Sequence, residues 1–219
     1  MHETVLPPAP LAIAVLVSGQ GRGTNLQALL DGCSRGTIEG RIALVVGTRS
    51  DAPALDRARG SGSALAVVSP RRYEGHEEGY STALLRLLKR HRIELICLAG
   101  YMRRLPVHLI AAYSGRIMNV HPALLPEFGG HGMYGEYVHR AVIDSGTKWS
   151  GATVHFVDED YDTGPIITQK TVPVLPDDTP VTLAARVLEA EHSAYVEAVR
   201  LFAAGRLHLE AGCVTVEPA

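Results

Sequence analysis

Cysteine is scarce in this chain of 219 residues, which contains three: Cys33, Cys97 and Cys213. An odd number of widely spaced cysteines does not form the dense disulfide framework of small secreted domains. This distribution is typical of reduced thiols in a cytoplasmic protein. The first ten residues lack the basic region of a secretory signal peptide, so the apolar run at residues 11–17 is predicted to be a strand.

Long apolar runs and an excess of either charge are also missing. No apolar run approaches the roughly 20 residues that a membrane helix needs. Lysine and arginine together number 21 against 23 acidic residues, so we expect neither a membrane partner nor a nucleic-acid surface based on bulk charge. Length and a hydrophobic content of 46% predict a single domain over residues 11–219, preceded by a tail of residues 1–10.

What the chain does contain is a regular alternation of apolar runs and helical patterns. Five runs are predicted to be strands buried on both faces: residues 11–17, 42–46, 64–68, 93–98 and 116–120. Helical patterns cover residues 24–33, 51–60, 76–91 and 106–113, with Asp51 expected to be the N-cap of the second. The predicted fold class is α/β, an open, doubly wound, mainly parallel, Rossmann-like sheet.

After residue 150 the pattern changes. Two extended runs, TVHFV and PIITQKTVPV, are separated by the acidic turn DEDYDTG, and no helix lies between them. Such a direct connection predicts a mixed or antiparallel C-terminal edge of the sheet. Residues 180–204 are predicted to form a long amphipathic helix, with Thr179 as its N-cap and Pro180 at its first position.

A glycine-rich loop follows the first predicted strand, with the sequence SGQGRGTN from Ser18 to Asn25. Alternate glycines allow a sharp turn and place backbone N–H groups at the start of the next helix, where they can bind an anion such as phosphate. The loop is neither a dinucleotide fingerprint nor a Walker A sequence. A tight turn in which Thr24 caps the helix is the alternative.

A pair of arginines, Arg103 and Arg104, follows the fourth predicted strand. Their guanidinium groups are suited to a carboxylate or a phosphate, and Met102 and Leu105 offer apolar surface beside them. Solvated loop residues are the alternative. Ligands of open α/β sheets bind beyond the carboxyl ends of the strands, which is where this segment is expected.

The fifth predicted strand runs into Asn119, His121 and Pro122. Side chains alternate along extended backbone, so Asn119 and His121 share a face, and Pro122 keeps His121 out of a helical conformation. An amide can stabilise an oxyanion and an imidazole can transfer a proton, although a lone histidine is more often a packed or surface residue. The acidic turn offers Asp158, Glu159, Asp160 and Asp162 as carboxylates for His121, although adjacent acids usually form a solvated loop. Asp162 is favoured because the turn before Gly164 can direct it inward, where it is expected to raise the histidine pKa.

Metal ligands are not predicted. His131, His139 and His155 are scattered, and Glu136 with His139 forms a single pair without a second set of ligands at suitable spacing. We therefore expect neither a structural nor a catalytic metal.

Five segments together resemble one enzyme family. SGQGRGTNLQALL, LAGYMRRL, NVHPALLPEF, GATVHFVDEDYDTGPI and EAEHSAY occur in this order and are similar to the phosphoribosylglycinamide formyltransferase family. The resemblance implies transfer of a formyl group from 10-formyltetrahydrofolate, as cosubstrate, to the amine of glycinamide ribonucleotide in purine biosynthesis, without a metal. It also implies a formyltransferase domain with a nucleotide-binding half at 11–118 and a catalytic, folate-binding half at 119–219, in a monomer or homodimer.

The resemblance also assigns residues. The implied catalytic trio is Asn119, which supports the oxyanion, His121, which transfers the proton, and Asp162, which orients His121. The implied ribonucleotide contacts are Gly23, Thr24, Asn25, Leu188, Glu189, Ala190 and Glu191, and the implied folate contacts are Met102, Arg103, Arg104, Leu105, Asn119, Asp158, Glu159, Asp160, Tyr161 and Asp162.

Three segments depart from the family pattern. Two additional residues lengthen the glycine-rich loop, so Arg22 either contacts the ligand or bulges out. Glu77 stands where the family directs an arginine at the folate tail, which leaves Arg71 or Arg72 as alternatives. The glycine-rich stretch at residues 128–135 is longer than in compact members and is predicted to be a mobile flap.

Three other functions share part of this pattern. A formyltetrahydrofolate hydrolase uses the same trio but usually carries an additional N-terminal domain, and a methionyl-tRNA formyltransferase needs a C-terminal domain for tRNA. Here about ten residues precede the first predicted strand, and no basic extension follows the long helix. Formyl transfer to glycinamide ribonucleotide is the favoured interpretation, with a hydrolase or a catalytically silent nucleotide-binding module as alternatives.

Overall fold

The structure is a computed structural model that describes residues 10–19 and 21–218, so the predicted tail, residues 1–10, lies outside the described residues except for Pro10. The strands are β1 (Leu11–Val17), β2 (Gly40–Gly47), β3 (Ala64–Val67), β4 (Leu95–Leu98), β5 (Ile117–His121), β6 (Trp149–Phe156), β7 (Ile166–Pro173), β8 (Leu207–Glu210) and β9 (Cys213–Val216). The helices are α1 (Thr24–Ser34), α2 (Pro53–Ala58), α3 (Glu77–Arg90), α4 (Val107–Ala112), α5 (Glu136–Asp144) and α6 (Pro180–Ala203), and a 3-10 turn covers Pro70–Tyr73.

Seven strands form one sheet in the order β3-β2-β1-β4-β5-β6-β7. Strands β1 to β5 are parallel, whereas β6 and β7 run antiparallel to their neighbours. The predicted doubly wound sheet with an antiparallel C-terminal edge is therefore confirmed. The chain moves outward from β1 to β3 and then returns to β4, and the crevice at such a reversal is where open α/β sheets bind ligands.

Alternate residues of β1 serve two separate cores, because strand side chains point to opposite faces. Val15 packs in the layer formed with α1, α2, α5 and α6, which includes Leu26 and Val187. Leu16 packs in the layer formed with α3 and α4, which includes Leu84 and Leu109. The sheet thus carries helices on both faces, and its apolar strands read as continuous hydrophobic runs for that reason.

The long helix α6 is fixed at its start and in its middle. Thr179 Oγ1 accepts a hydrogen bond from the Thr182 backbone N–H at 3.2 Å, and Thr182 Oγ1 accepts one from the Thr179 N–H at 2.9 Å, so the predicted N-cap is confirmed as a capping box. Further along, the buried hydroxyl of Tyr195 donates to the carbonyl oxygens of Leu98 and Met118, each at 3.0 Å. These contacts join α6 to the last residue of β4 and to the second residue of β5.

Two expected caps differ in the structure. Asp51 is not the N-cap of α2, which begins at Pro53 after Ala52, because the Asp51 carboxylate accepts a hydrogen bond from Arg49 Nε at 2.9 Å instead. Thr24 does not cap α1 with its side chain, since Gly23 occupies the cap position.

Two elements were not predicted from the sequence. Helix α5 follows the glycine-rich stretch at residues 128–135, which hides its periodicity, and the β8–β9 hairpin consists of strands of 4 residues each. Within the part of the chain that the structure describes, no helix is both long and apolar enough to cross a membrane.

Candidate active site

A cavity of about 760 Å³ opens at the carboxyl ends of β1, β4 and β5, at the reversal of strand order. Its walls come from the segments that follow these strands, from the β6–β7 turn, and from α5 and α6. The residues that line the cavity include Asn25, Met102, Arg103, Arg104, Leu105, Asn119, His121, His139, His155, Asp158, Glu159, Asp160, Tyr161, Asp162 and Glu191. The volume lies within the range of small-molecule sites.

Asp162 stands in the β6–β7 turn with a left-handed backbone conformation, φ 60°. Its Oδ2 lies 3.4 Å from His121 Nδ1 and accepts a hydrogen bond from the Gly130 backbone N–H at 3.0 Å. Its Oδ1 lies 3.5 Å from His155 Nε2. The turn therefore directs the carboxylate inward, toward the two histidines at the ends of β5 and β6.

His121 is the last residue of β5, directly before Pro122. Its Nε2 lies 2.8 Å from the carbonyl oxygen of Phe128, and because a carbonyl can only accept, Nε2 is the donor. Phe128 itself has a positive φ of 55°. Both ring nitrogens of His121 thus face protein groups, and the stretch at residues 128–135 contributes two backbone contacts, through Phe128 and Gly130, to the predicted trio.

His155 was not predicted to belong to the site. It lies on β6 directly opposite Asn119 of β5 in the antiparallel register. Its Nδ1 donates to the carbonyl oxygen of Phe156 at 2.8 Å, and its Nε2 lies 3.2 Å from Asn119 Nδ2 and 3.5 Å from Asp162 Oδ1. Pairing the two predicted strands in antiparallel register would have placed His155 beside Asn119, since cross-strand neighbours lie side by side on one face.

Burial changes the electrostatics that the sequence suggested. Burial lowers the pKa of His121, and it outweighs the charge of Asp162, which acts in the opposite direction, so the expected net increase is wrong. Burial also raises the pKa of Asp162, but the contacts with His155, His121 and the Gly130 N–H outweigh it, and the Asp162 pKa lies below its usual range. The site therefore holds a carboxylate beside an imidazole that is mainly neutral at pH 7.

The two predicted folate segments, residues 102–105 and 158–162, lie against each other. Arg104 Nε donates to the carbonyl oxygen of Glu159 at 2.7 Å, and its Nη2 donates to Asp160 Oδ1 at 3.1 Å. Met102 and Tyr161 keep exposed apolar surface, whereas Leu105 is buried. Every predicted folate residue lines the cavity.

At the opposite end of the cavity, Asn25 and Glu191 form a pair. Asn25 Nδ2 donates to Glu191 Oε2 at 2.6 Å, while Asn25 Oδ1 is buried and has no hydrogen-bond partner among the described residues. Burial raises the pKa of Glu191 to about 7, against the opposing effect of the Asn25 hydrogen bond. Glu191 thus holds a proton for about half of the time near neutral pH.

The other predicted ribonucleotide residues lie elsewhere. Thr24 and Glu189 line an adjoining cleft of about 690 Å³, together with Arg57 and His192. Gly23, Leu188 and Ala190 do not reach either wall in the described part of the chain.

Packing explains the residue types at Ala190 and Gly23. Ala190 is a buried residue of the core. Gly23 has a φ of 72°, and a Cβ there would come within 2.7 Å of the Ala54 Cβ, so only glycine permits the approach of α2. The exposed Arg22 contributes its backbone carbonyl, which accepts a hydrogen bond from Arg57.

Comparison with known proteins agrees with this geometry. Residues 11–199 match the family described as formyl transferase. The chain belongs to the formyl transferase family. This formyltransferase is 42% identical over 192 residues to the chloroplastic phosphoribosylglycinamide formyltransferase of Arabidopsis thaliana, covering 88% of this chain and 65% of that relative. The chain therefore spans about two thirds of the length of the plant protein.

Two further relatives match along most of their length. The phosphoribosylglycinamide formyltransferase of Escherichia coli K12 is 36% identical over 197 residues, covering 90% of the formyltransferase and 89% of that relative. The crystal structure of glycinamide ribonucleotide transformylase 1 from Symbiobacterium toebii superimposes with a TM-score of 0.90 at 42% identity, covering 99% of both chains. Among residues 10–19 and 21–218, no group of three or more potential metal ligands is placed to hold an ion.

Proposed function

We propose that the cavity transfers a formyl group from 10-formyltetrahydrofolate to the amine of glycinamide ribonucleotide, a reaction of purine biosynthesis. The observation that carries the proposal is the position of the trio Asn119, His121 and Asp162. They line one cavity together with the two joined loops proposed for the folate and the Asn25–Glu191 pair proposed for the ribonucleotide. The names of the similar proteins support the same activity.

In this proposal Asn119 binds the negative charge that grows on the formyl oxygen. Its side-chain amide has two N–H donors, and one of them is held by His155 Nε2. The second N–H is then available to the substrate oxygen without a rotation of the amide. A donor that is oriented before the reaction stabilises a transition state more than one that must reorganise.

His121 and Asp162 carry out the proton transfer from the attacking amine to the folate nitrogen. As the amine nitrogen bonds to the formyl carbon it loses a proton, and the folate nitrogen gains one as its own bond to that carbon breaks. Asp162 stabilises the imidazolium form of His121 during this exchange. Because His121 Nε2 donates to the Phe128 carbonyl, direct transfer from this atom requires that hydrogen bond to exchange for one with the substrate.

The ribonucleotide is proposed to lie along the Asn25 end, with its phosphate at the start of α1. The first N–H groups of a helix have no intrahelical partner and favour an anion. Thr24 stands at this helix start, and Arg57 lines the same adjoining cleft. The ribose then reaches Glu191, which is mostly protonated just below neutral pH and can donate as well as accept.

One assay tests the proposal. The purified protein is mixed with glycinamide ribonucleotide and 10-formyltetrahydrofolate, and we expect equal amounts of formylglycinamide ribonucleotide and tetrahydrofolate. A control without the ribonucleotide measures transfer to water. Equal release of tetrahydrofolate in both mixtures indicates a hydrolase, and no release in either indicates a silent binding module; both results contradict the proposal.

A further inference from the structure

His139, on α5, is a buried histidine that the proposed mechanism does not use. Its side chain is 4% exposed, it lines the cavity, and its Nδ1 has no hydrogen-bond partner among the described residues. An unpaired polar atom in the protein interior destabilises the fold, so such atoms are rare unless a ligand or water completes them. The Nδ1 atom of His139 therefore needs a hydrogen-bond partner that the described part of the chain does not supply.

The buried neighbours of His139 on its own helix are apolar, and Glu136, one turn earlier, is exposed and paired with Arg140. Val138 and Val142 of α5 are fully buried in the core, so neither can satisfy a ring nitrogen. Burial lowers the pKa of His139, and the nearby charge of His121 lowers it further, so the ring is neutral at pH 7. His121 and His139 both line the cavity.

A second buried polar atom, on another residue that lines the cavity, also lacks a hydrogen-bond partner. Asn25 Oδ1 is an acceptor without a partner among the residues that the structure describes. A carbonyl oxygen of an amide accepts only from N–H or O–H groups, and a neutral imidazole can accept as well. The chemistry of both orphan atoms fits a ligand that brings several such donors, as an amine with a sugar does.

We propose that His139 binds the amino group of the amine-bearing substrate, through a hydrogen bond from that group to a ring nitrogen. The inference rests on the proposed function and adds a residue to its binding site. The attacking nitrogen must approach the formyl carbon beside Asn119 and His121, and His139 lines the same cavity as these two residues. A neutral ring can accept this N–H without repelling a positively charged amine.

Two variants and two ligands test the contact. His139→Leu removes the ring nitrogens while keeping an apolar side chain, and His139→Asn keeps a polar atom near the position of Nδ1. Dissociation constants are measured by calorimetry for glycinamide ribonucleotide and for the matching acetamide ribonucleotide, which lacks the amine. We expect His139→Leu to weaken the first ligand about fivefold to tenfold and the second less than about twofold. His139→Asn is expected to recover most of the affinity.

Thermal stability separates this role from a structural one. Leucine replaces an unpaired buried nitrogen with an apolar group, so the Tm of His139→Leu is expected to equal or exceed that of the wild type. A structural hydrogen bond to buried water predicts the opposite, a lower Tm with unchanged binding, and that result overturns the inference. His108→Leu, at an exposed position of α4, is the control and is expected to change neither quantity.

The remaining outcomes are equally decisive. An equal loss of affinity for both ligands places the contact away from the amine and overturns the inference. If the wild type transfers the formyl group but His139→Leu binds both ligands normally, the inference fails while the proposed function stands. If the wild type binds neither ligand, both fail together.

Discussion

The chain has two asparagines, Asn25 and Asn119, and both line the cavity, at opposite ends. The amide nitrogen of Asn119 is held by His155, whose other ring nitrogen is fixed by a backbone carbonyl. The amide nitrogen of Asn25 is held by Glu191, but its oxygen is buried without a partner among the described residues.

This contrast extends to the neighbours of each asparagine. Around Asn119, within the described chain, no buried side-chain nitrogen or oxygen of His121, His155 or Asp162 lacks a partner. One end of the cavity is thus a network completed by the protein, as suits a group that must be oriented before the reaction. At the other end, Asn25 Oδ1 lacks a partner among the described residues, which is compatible with the ribonucleotide site proposed there.

The largest effects are expected from substitutions in the hydrogen-bonded network around Asn119. Asn119→Ala and His121→Ala are each expected to lower kcat by at least about a hundredfold, because loss of a preorganised donor costs about 2.7 to 4 kcal/mol of activation free energy. Single-turnover rates measure the effect, and circular dichroism checks that the fold is intact. Near-normal formyl transfer by either variant would show that the trio is wrongly assigned.

Asn25→Ala is the matched variant at the other end. It removes one hydrogen bond to Glu191 and one acceptor for the ligand, so we expect KM for the ribonucleotide to rise about threefold to tenfold with kcat nearly unchanged. Steady-state kinetics with saturating folate give both constants. A loss of kcat as large as that of Asn119→Ala would remove the distinction between the two ends.

Glu191→Gln tests the Asn25 end of the cavity through the pH dependence of thermal stability. Burial raises the pKa of Glu191 from 4.5 to about 7, so between these values the folded state keeps a proton that the unfolded chain releases. Wild-type stability from this group is therefore lost as pH rises from 4.5 through 7, whereas glutamine stays neutral. We expect the Tm of the variant, relative to wild type, to increase by roughly 5 to 10 °C between pH 5 and pH 8. Tm differences that are independent of pH would contradict this account.

The smallest expected effect lies outside the cavity. Thr179→Ala removes the capping box of α6 and is expected to cost about 1 kcal/mol, or roughly 2 to 4 °C in Tm. The kinetic constants should stay at their wild-type values, since neither end of the cavity is altered. A change in kcat beyond about twofold would mean that α6 moves when its cap is lost.

The sequence carried the parts of the site that depend on local chain geometry. A strand period of two and a following proline placed Asn119 and His121 at the end of β5, and the turn residues around Gly164 placed Asp162 opposite them. The N-cap of α6 was likewise visible in Thr179 and Pro180, whereas the return contact of Thr182 was not predicted.

The remainder depends on which segments meet in space. His155 enters the site through the register between β5 and β6, and His139 enters on a helix hidden behind glycines. The downward shift of the His121 pKa follows from burial, which outweighs the opposing effects of Asp162 and of the Phe128 hydrogen bond, and no spacing of residues reveals this burial. Leu188 and Ala190 fell outside the cavity because a helix turns successive residues to different sides.

The Tyr195 hydroxyl has a consequence for the spacing of the two proposed substrates. It joins α6, one turn beyond Glu191, to the backbone of Met118, which directly precedes Asn119. One buried phenol, which does not itself line the cavity, thus helps to hold the helix that carries Glu191 against the strand that carries Asn119. A change in the length of the glycine-rich loop or of the stretch at residues 128–135 would leave this contact in place.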